Sequence, residues 1–476
     1  MDYLDAKTLD ALFAPNYHVF GYPLIQHFRR ASHTLSLQDM IKPGMFCAAL
    51  LGVLLLSGCG GEPHKVTKSE APSYPTNEEL EANWPRFRGF GGLGISKDAG
   101  TPCAWNAKDG SMENIRWKSE VPFIGHSSPV VWKDHVFLTG YDAQDHRGIV
   151  LCYNGKTGAL RWQKKVVLER GPDFHPPENL YDEAVGAAST MATDGRRAFA
   201  IFANGDLAAF DFEGNPAWSR ALGVPDSLYG YAASLAMYRD LVIVQFDQAA
   251  EAEDRFASKL YAFRGETGEI AWEVDRHVID SWTSPIVAET GKGPQLITMG
   301  TPWYIAYDPA TGKEIWKVYM EGADMAPSPA FAAGLVFALV PNCDMCAIRT
   351  DGTGDVTETH IAWTWDLCIP DVASPVANDE LFFLLSHGYL ACLDARTGKT
   401  VWEHEYDSEF ESSPTLVGDK LYLLGREGTA YIVASERAFK EIGRAELGEA
   451  TSCSPAFVND CIYIRGEKHL FCVGKK

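Results

Sequence analysis

The decapeptide YDPATGKEIW, residues 307–316, returns with altered lettering as YNGKTGALRW (153–162), FRGETGEIAW (263–272) and LDARTGKTVW (393–402). A chain that repeats Thr-Gly, three variable residues and Trp is repeating a structural unit. The Asp and Thr of DPATGKEIW can bond the backbone of a short loop, and the Gly supplies the positive φ that closes a hairpin with a bulge. The Trp then falls at a fixed depth on the strand that follows. Trp117, Trp162, Trp218, Trp272, Trp316, Trp363 and Trp402 recur at matching places. Burying one indole is worth roughly 4 to 6 kcal/mol as an upper bound, so these residues are expected to dock each unit onto its neighbour.

A second signal fixes the number of units. The Ser of an SSP-, AST- or TSP-like stretch falls at Ser128, Ser189, Ser234, Ser284, Ser328, Ser374, Ser413 and Ser454. After each comes an alternating strand, a turn such as TDG (193–195) or VGD (417–419), and a second strand such as LYLLG (421–425). A third strand leads into the TG turn, and the fourth carries the Trp. Four short strands per unit of about 45 residues, with almost no helical period, predict an all-β, eight-bladed β-propeller of four-stranded antiparallel blades. A lone blade cannot bury its two faces, so the blades must stack around an axis.

The ends complete the count. The last unit has three strands and stops before any Trp, whereas ENIRWKSEV (113–121) is one strand and a Trp without a unit. The ring is therefore expected to close by exchange of N- and C-terminal strands, with 114–120 along 468–473, which removes the exposed edges that invite aggregation. The seventh unit has ASERAFKEIGRAEL where TGxxxW should be, so a weaker interface is expected there.

Upstream of the repeats, MIKPGMFCAALLGVLLLSGCGG places Lys42 before an apolar run, Phe46 to Leu56, that is too short to span a bilayer. Residues 40–58 read as a signal peptide. LSGC resembles the lipobox of bacterial lipoproteins, which implies a lipid on Cys59 and a place on the periplasmic face of a membrane. Gly60 matches the enterobacterial pattern for the outer membrane. Residues 59–83 read as a flexible tether, 84–112 as an extension packed on the propeller, 113–476 as the propeller itself, and 1–39 as an N-terminal stretch of doubtful role.

The TGxxxW repeats resemble the tryptophan-docking motif of the PQQ-like β-propeller superfamily, which includes quinoprotein dehydrogenases and BamB, the lipoprotein of outer-membrane assembly. WPRFRGFGGLGIS (84–96), GHSSPVVW (125–132), DSWTSPIV (280–287) and EKHLFCVG (467–474) are similar to bacterial lipoproteins with PQQ-binding-like repeats. The resemblance implies a BamB-like, non-catalytic scaffold, a monomer whose partners are envelope proteins, with no cofactor expected. The alternative it implies is an oxidoreductase using PQQ and Ca²⁺. No adjacent Cys pair of the alcohol-dehydrogenase kind occurs, and no calcium ligand set can be matched residue by residue. A small-ligand or glycan binder is a third reading.

Other stretches carry weaker chemical signals. GFGGLG (89–94) matches GxGxxG, but no strand precedes it and no helix follows, so a dinucleotide loop is not expected. A formal net charge of −21 repels polyanions, which excludes nucleic acid as a partner. Of eleven cysteines, Cys47 leaves with the signal and Cys59 is lipidated; Cys343 and Cys346, in CDMC, could join as a disulfide in an oxidising compartment, remain thiols, or, with further ligands, hold zinc. DGTGD (351–355) with Glu358 could bind Ca²⁺ weakly or be a solvated loop, and HPPENLYDE (175–183) offers a His among carboxylates in a Pro-stiffened loop. Residues just before each first strand converge on one mouth of a propeller's channel. They are His126, Tyr231, Trp282, Met325, Asp371 and Glu411, expected either to bind a ligand or to plug the bore.

Overall fold

A computed structural model describes residues 74–168, 186–250, 255–322 and 324–475. Cys59 and HPPENLYDE lie outside the described residues. Eight sheets form the ring. Blades 1 to 7 begin with the strands Val130–Trp132, Ala192–Thr193, Ala236–Tyr238, Ile286–Thr290, Ala330–Ala332, Val376–Ala377 and Thr415–Val417. Blade 8 begins with Ala456–Val458 and takes its outer strand, Ile115–Glu120, from the front of the chain. That strand runs antiparallel to His469–Val473, with Trp117 opposite Cys472 and Ser119 opposite Leu470. The inner three strands of the blades are largely buried, while outer strands alternate half-buried and exposed positions, as half-solvated sheet edges must.

The TG turn works as a docking socket. In Asp308 to Gly312, the Asp308 carbonyl accepts from the Gly312 N–H at 2.8 Å and the Asp308 carboxylate accepts from the Ala310 N–H at 2.8 Å. The indole of one blade lies against the turn glycine of the next: Trp117 on Gly158, Trp162 on Gly214, Trp218 on Gly268, Trp272 on Gly312 and Trp363 on Gly398. Any Cβ on Gly158 would come within 2.6 Å of the Trp117 ring, so the glycine is needed for the close approach as well as for its φ of 74°. In four of the five the indole N–H then donates to a carbonyl of the same turn, as from Trp117 to Gly155 at 2.9 Å and from Trp218 to Gly265 at 2.8 Å; Trp272 packs without that bond.

Trp316 departs from this pattern. It is fully buried, and its N–H donates to the Gln295 side-chain oxygen of its own blade at 2.9 Å. Gln295 in turn donates to the Thr350 carbonyl of blade 5 at 3.0 Å. The reason is the DGTGD insertion, which replaces the TG turn and lays Gly354–Asp355 as an extra parallel strand along blade 4, opposite Trp316 and Lys317. The insertion is thus part of a sheet. Trp402 also adapts, meeting Phe439 edge-on at 5.3 Å and donating to Glu436 O at 2.9 Å, because blade 7 has no turn glycine to receive it.

The seventh unit lacks its Trp, and Gly443 stands in the equivalent place, opposite Ile432. That gap is filled from outside the repeat. The Cys103 backbone lies over Gly443, Ala107 N–H donates to Glu446 O at 2.9 Å, and Trp105 is buried in the core that blades 7, 8 and 1 share.

Candidate functional site

The bore is organised by one hydroxyl per blade. Each accepts a hydrogen bond from the backbone N–H of the preceding blade: Ser128 N–H to Thr190, Thr190 to Ser234, Ser234 to Ser284, Ser284 to Ser328, Ser328 to Ser374, Ser374 to Ser413, Ser413 to Ser454, and Ser454 back to Ser128. The distances run from 2.8 Å to 3.1 Å, and the annulus closes on itself. In blade 2 the member is Thr190 rather than Ser189, a one-residue correction to the repeat register. Ser189 points elsewhere, toward Tyr231 O. Thr190 stands two residues before its strand, like every other member, and a hydroxyl on either residue type can do the work.

Below the annulus, residues 84–96 strap the opposite face of the ring. Trp84 pairs with Val131 of blade 1, Arg86 with Ala192 of blade 2, and Ile95–Ser96 runs parallel to Leu416 and Val417 of blade 7. A tight turn, closed by Gly89 N–H to Arg86 O at 2.9 Å, holds Phe87 at its tip, and Phe87 forms the floor of the bore. Arg86 donates to Pro285 O at 2.6 Å, and Arg88 donates to Pro329 O at 3.3 Å and to Pro375 O. GFGGLG is explained here: a Cβ on Gly92 or Gly94 would come within 3.1 Å of the Arg86 or 3.0 Å of the Arg88 guanidinium. Both arginines are fully buried, and burial pushes each pKa down to about 9, so both remain charged at neutral pH.

Above the floor is a well of about 390 Å³. The eight hydroxyls and the small residues Ala188, Ala232 and Ala326 form its wall; His126, Trp282, Val372, Glu411, Arg426 and Ser452 form its rim. Glu411 is paired with Arg426 at 3.0 Å. His126 Nδ1 lies 2.7 Å from Ser452 Oγ, and partial burial, then Arg465 and Arg426, hold its pKa below the usual imidazole value. Trp282 donates to Ser227 Oγ at 3.1 Å and meets Tyr229 edge-on.

Of the six mouth residues expected from the sequence, His126, Trp282 and Glu411 line the well. Tyr231 and Met325 do not. Tyr231 is buried between blades 2 and 3 against Phe246, and Met325 is buried between blades 4 and 5, where its carbonyl accepts from the backbone N–H of Trp282 at 2.8 Å. Asp371 is exposed and stands outside the lining, where Val372 takes its place. Arg426 comes from the turn between the second and third strands of blade 7, which carries no repeat signal. Phe87 comes from outside the repeats altogether.

Cys343 and Cys346 are free thiols. Cys343 is exposed in its turn, while Cys346 is buried in a strand with its sulfur 3.0 Å from Met320 Sδ, so the two side chains serve different environments. Among the described residues no group of three or more His, Cys, Asp or Glu could hold a metal ion.

The family model described as "Outer membrane protein assembly factor BamB" matches residues 91–227, 257–366 and 360–438. The chain belongs to this family. Among solved structures it is similar to BamB from Moraxella catarrhalis, at 15% identity over 75% of this chain and 99% of that one, with a TM-score of 0.54. It is also similar to the quinohemoprotein alcohol dehydrogenase of Comamonas testosteroni, at 13% identity over 84% and 82% of the two chains, with a TM-score of 0.57. A third, from Pseudomonas putida HK5, gives 10% identity, coverage of 86% and 83%, and a TM-score of 0.57. At such identities these likenesses speak for the fold alone. No curated protein matches the sequence.

The dehydrogenase likeness raises the question of whether the well suits a calcium-quinone centre. Its residues do not fit one. A single carboxylate, Glu411, lines it and is already neutralised by Arg426, leaving neither the anionic oxygens that hold Ca²⁺ nor a free carboxylate base.

Proposed function

We propose that this BamB-family propeller is a partner-binding scaffold of the bacterial cell envelope, held on the periplasmic side of the outer membrane by a lipid on Cys59, with no reaction of its own. One observation carries the reading. The loops that enter the first strands, which also rim the well, hold large apolar side chains in water: Ile124, Leu228, Leu367 and Val372 are 53%, 51%, 52% and 46% exposed. A rigid ring gains nothing in stability from such residues, and exposed apolar groups gathered on one face of a soluble domain mark a docking surface. Family membership supports the same reading, since a protein named for outer-membrane protein assembly works on protein partners.

A photo-crosslinking residue at position 228 or 367 tests it in the native envelope. The expected result is a discrete crosslinked envelope protein from these positions and none from Leu160 or Ile270, which are equally exposed on outer strands. Crosslinks from the outer strands alone would place the partner elsewhere, and crosslinks from neither would remove the scaffold reading.

A further inference from the structure

The annulus of hydroxyls has a chemistry of its own, independent of any protein partner. A Ser or Thr hydroxyl has one proton and two lone pairs. Ser128, Thr190, Ser234, Ser284, Ser328, Ser374, Ser413 and Ser454 each commit a lone pair to the neighbouring blade's N–H. Among the described residues, none of the eight protons has a protein acceptor, and all eight residues line the well. Eight O–H donors therefore stand around one cavity with no protein group to donate to.

A second feature gives that cavity a sign. Arg86 and Arg88 lie directly beneath, bonded to the carbonyls of Pro285, Pro329 and Pro375, each one residue past an annulus member. Among the described residues neither guanidinium has a carboxylate partner, and Arg86 Nε and Nη1 and Arg88 Nε have no partner at all. Buried cations without a counter-charge are costly, and the cost falls when a negative charge is placed nearby. The rim does not supply it. Glu411 is spent on Arg426.

We infer that the annulus is a binding site for a small oxyanion, of the carboxylate or phosphate class. The serine and threonine protons hydrogen-bond its oxygens, the two guanidiniums below Phe87 supply the field, and the wall of Ala188, Ala232 and Ala326 leaves room for a short apolar body. Trp282 and Val372 at the rim bound that body from above.

Calorimetric titration of the purified protein with sodium phosphate and, separately, sodium acetate, at constant ionic strength, tests the site. Saturable 1:1 binding of at least one is expected, and comparing the two separates the anion classes. In Ser328→Ala/Ser374→Ala, with the fold checked by circular dichroism, affinity should fall at least tenfold. No saturable binding of either anion, or unchanged affinity in the folded variant, overturns the inference. If the variant does not fold, bromide soaked into wild-type crystals decides: an anomalous peak within the annulus supports the site, and its absence there overturns it. The crosslinking above reads the scaffold role separately, so either result can fail without the other.

Discussion

The backbone N–H of Ser454 donates to the hydroxyl of Ser128 at 3.0 Å, although 326 residues separate them in the chain. This bond is the eighth link of the annulus, and it spans the seam where blade 8 meets blade 1. Trp117, packed on Gly158 and bonded to Gly155 O, fastens the same seam, as does Tyr463, whose hydroxyl donates to Gly155 O at 3.2 Å. Because Trp117 belongs to the borrowed strand, Trp117→Ala should both open a cavity and loosen ring closure, at a cost of about 3 to 5 kcal/mol. Trp402→Ala, at a more exposed site within the continuous repeats, should cost less. Denaturant midpoints of the two variants check this; equal losses would mean that the seam is no weaker than any other interface.

Restoring the repeat tryptophan to blade 7 should harm the protein. Gly443 fills the position that holds Trp in the other blades, and consensus design would place Trp there. In this chain the Cys103 carbonyl oxygen would lie 2.1 Å from the first side-chain carbon. Gly443→Trp is therefore expected to expel residues 101–107 from the outer strand, strand Trp105 in solvent and lower Tm by several degrees. Limited proteolysis should cut that segment in the variant and spare it in the wild type. A variant as resistant and as stable as the parent would refute this account of the gap.

The repeats made the blade count, the strand order and the closing pair legible, because a socket of turn glycine and indole leaves the same letters wherever it occurs. What escaped was register in some blades and, elsewhere, features that depend on a neighbour rather than on the unit. Tyr231, Met325 and Asp371 stand three residues before the annulus hydroxyl of their blade, whereas His126, Trp282, Glu411 and the other residues lining the well at that level stand two before it, so Ala232, Ala326 and Val372 take their places. Trp316 obeys the motif, yet the turn it would meet is the DGTGD insertion, so its partner is Gln295. Ser189 and Thr190 are adjacent hydroxyls, and only the two-residue offset to the strand distinguishes them. The Phe87 floor and the two arginines lie in a segment with no period at all, where sequence spacing carries no geometric information.

The cysteines should sort by environment rather than by spacing. Cys343 and Cys368 are exposed. Burial pushes the Cys152 and Cys392 thiols up to about 12 and that of Cys346 well above its ordinary value, which leaves almost no thiolate to react. Alkylation of the native protein at pH 8, followed by peptide mass analysis, should modify Cys343 and Cys368 quickly and spare Cys152, Cys346 and Cys392 until denaturant is added. A Cys343–Cys346 disulfide recovered from the non-reduced native protein would contradict the separation of their side chains.

Supplying PQQ and Ca²⁺ should not produce an enzyme. The well has one carboxylate, and it is ion-paired. Purified protein incubated with both is expected to show no alcohol-dependent dye reduction above that of the free cofactor. Glu411→Gln, which removes that sole carboxylate, should leave this background unchanged. Turnover in the wild type that is lost in Glu411→Gln would show that the carboxylate serves as a base after all.

Stability should decline as the solution becomes mildly acidic, and two histidines set the direction. Partial burial, then Arg465 and Arg426, hold His126 below the reference value of 6.5; partial burial, then Arg161, does the same for His135. For a base whose folded pKa is depressed, the unfolded chain binds more protons between the two values, so stability rises with pH across that window. The contribution is fully present above 6.5, is lost as pH falls below it, and levels off beneath the folded pKa. Asp280 works in the other sense at lower pH: burial raises its pKa above 3.8, so acidification toward that range favours the folded state. Urea midpoints measured from pH 7.5 to 5.0 should therefore decrease, and the slope should flatten in His126→Gln/His135→Gln, which keeps a polar group at each position. An unaltered slope in that variant would assign the acid sensitivity to other groups.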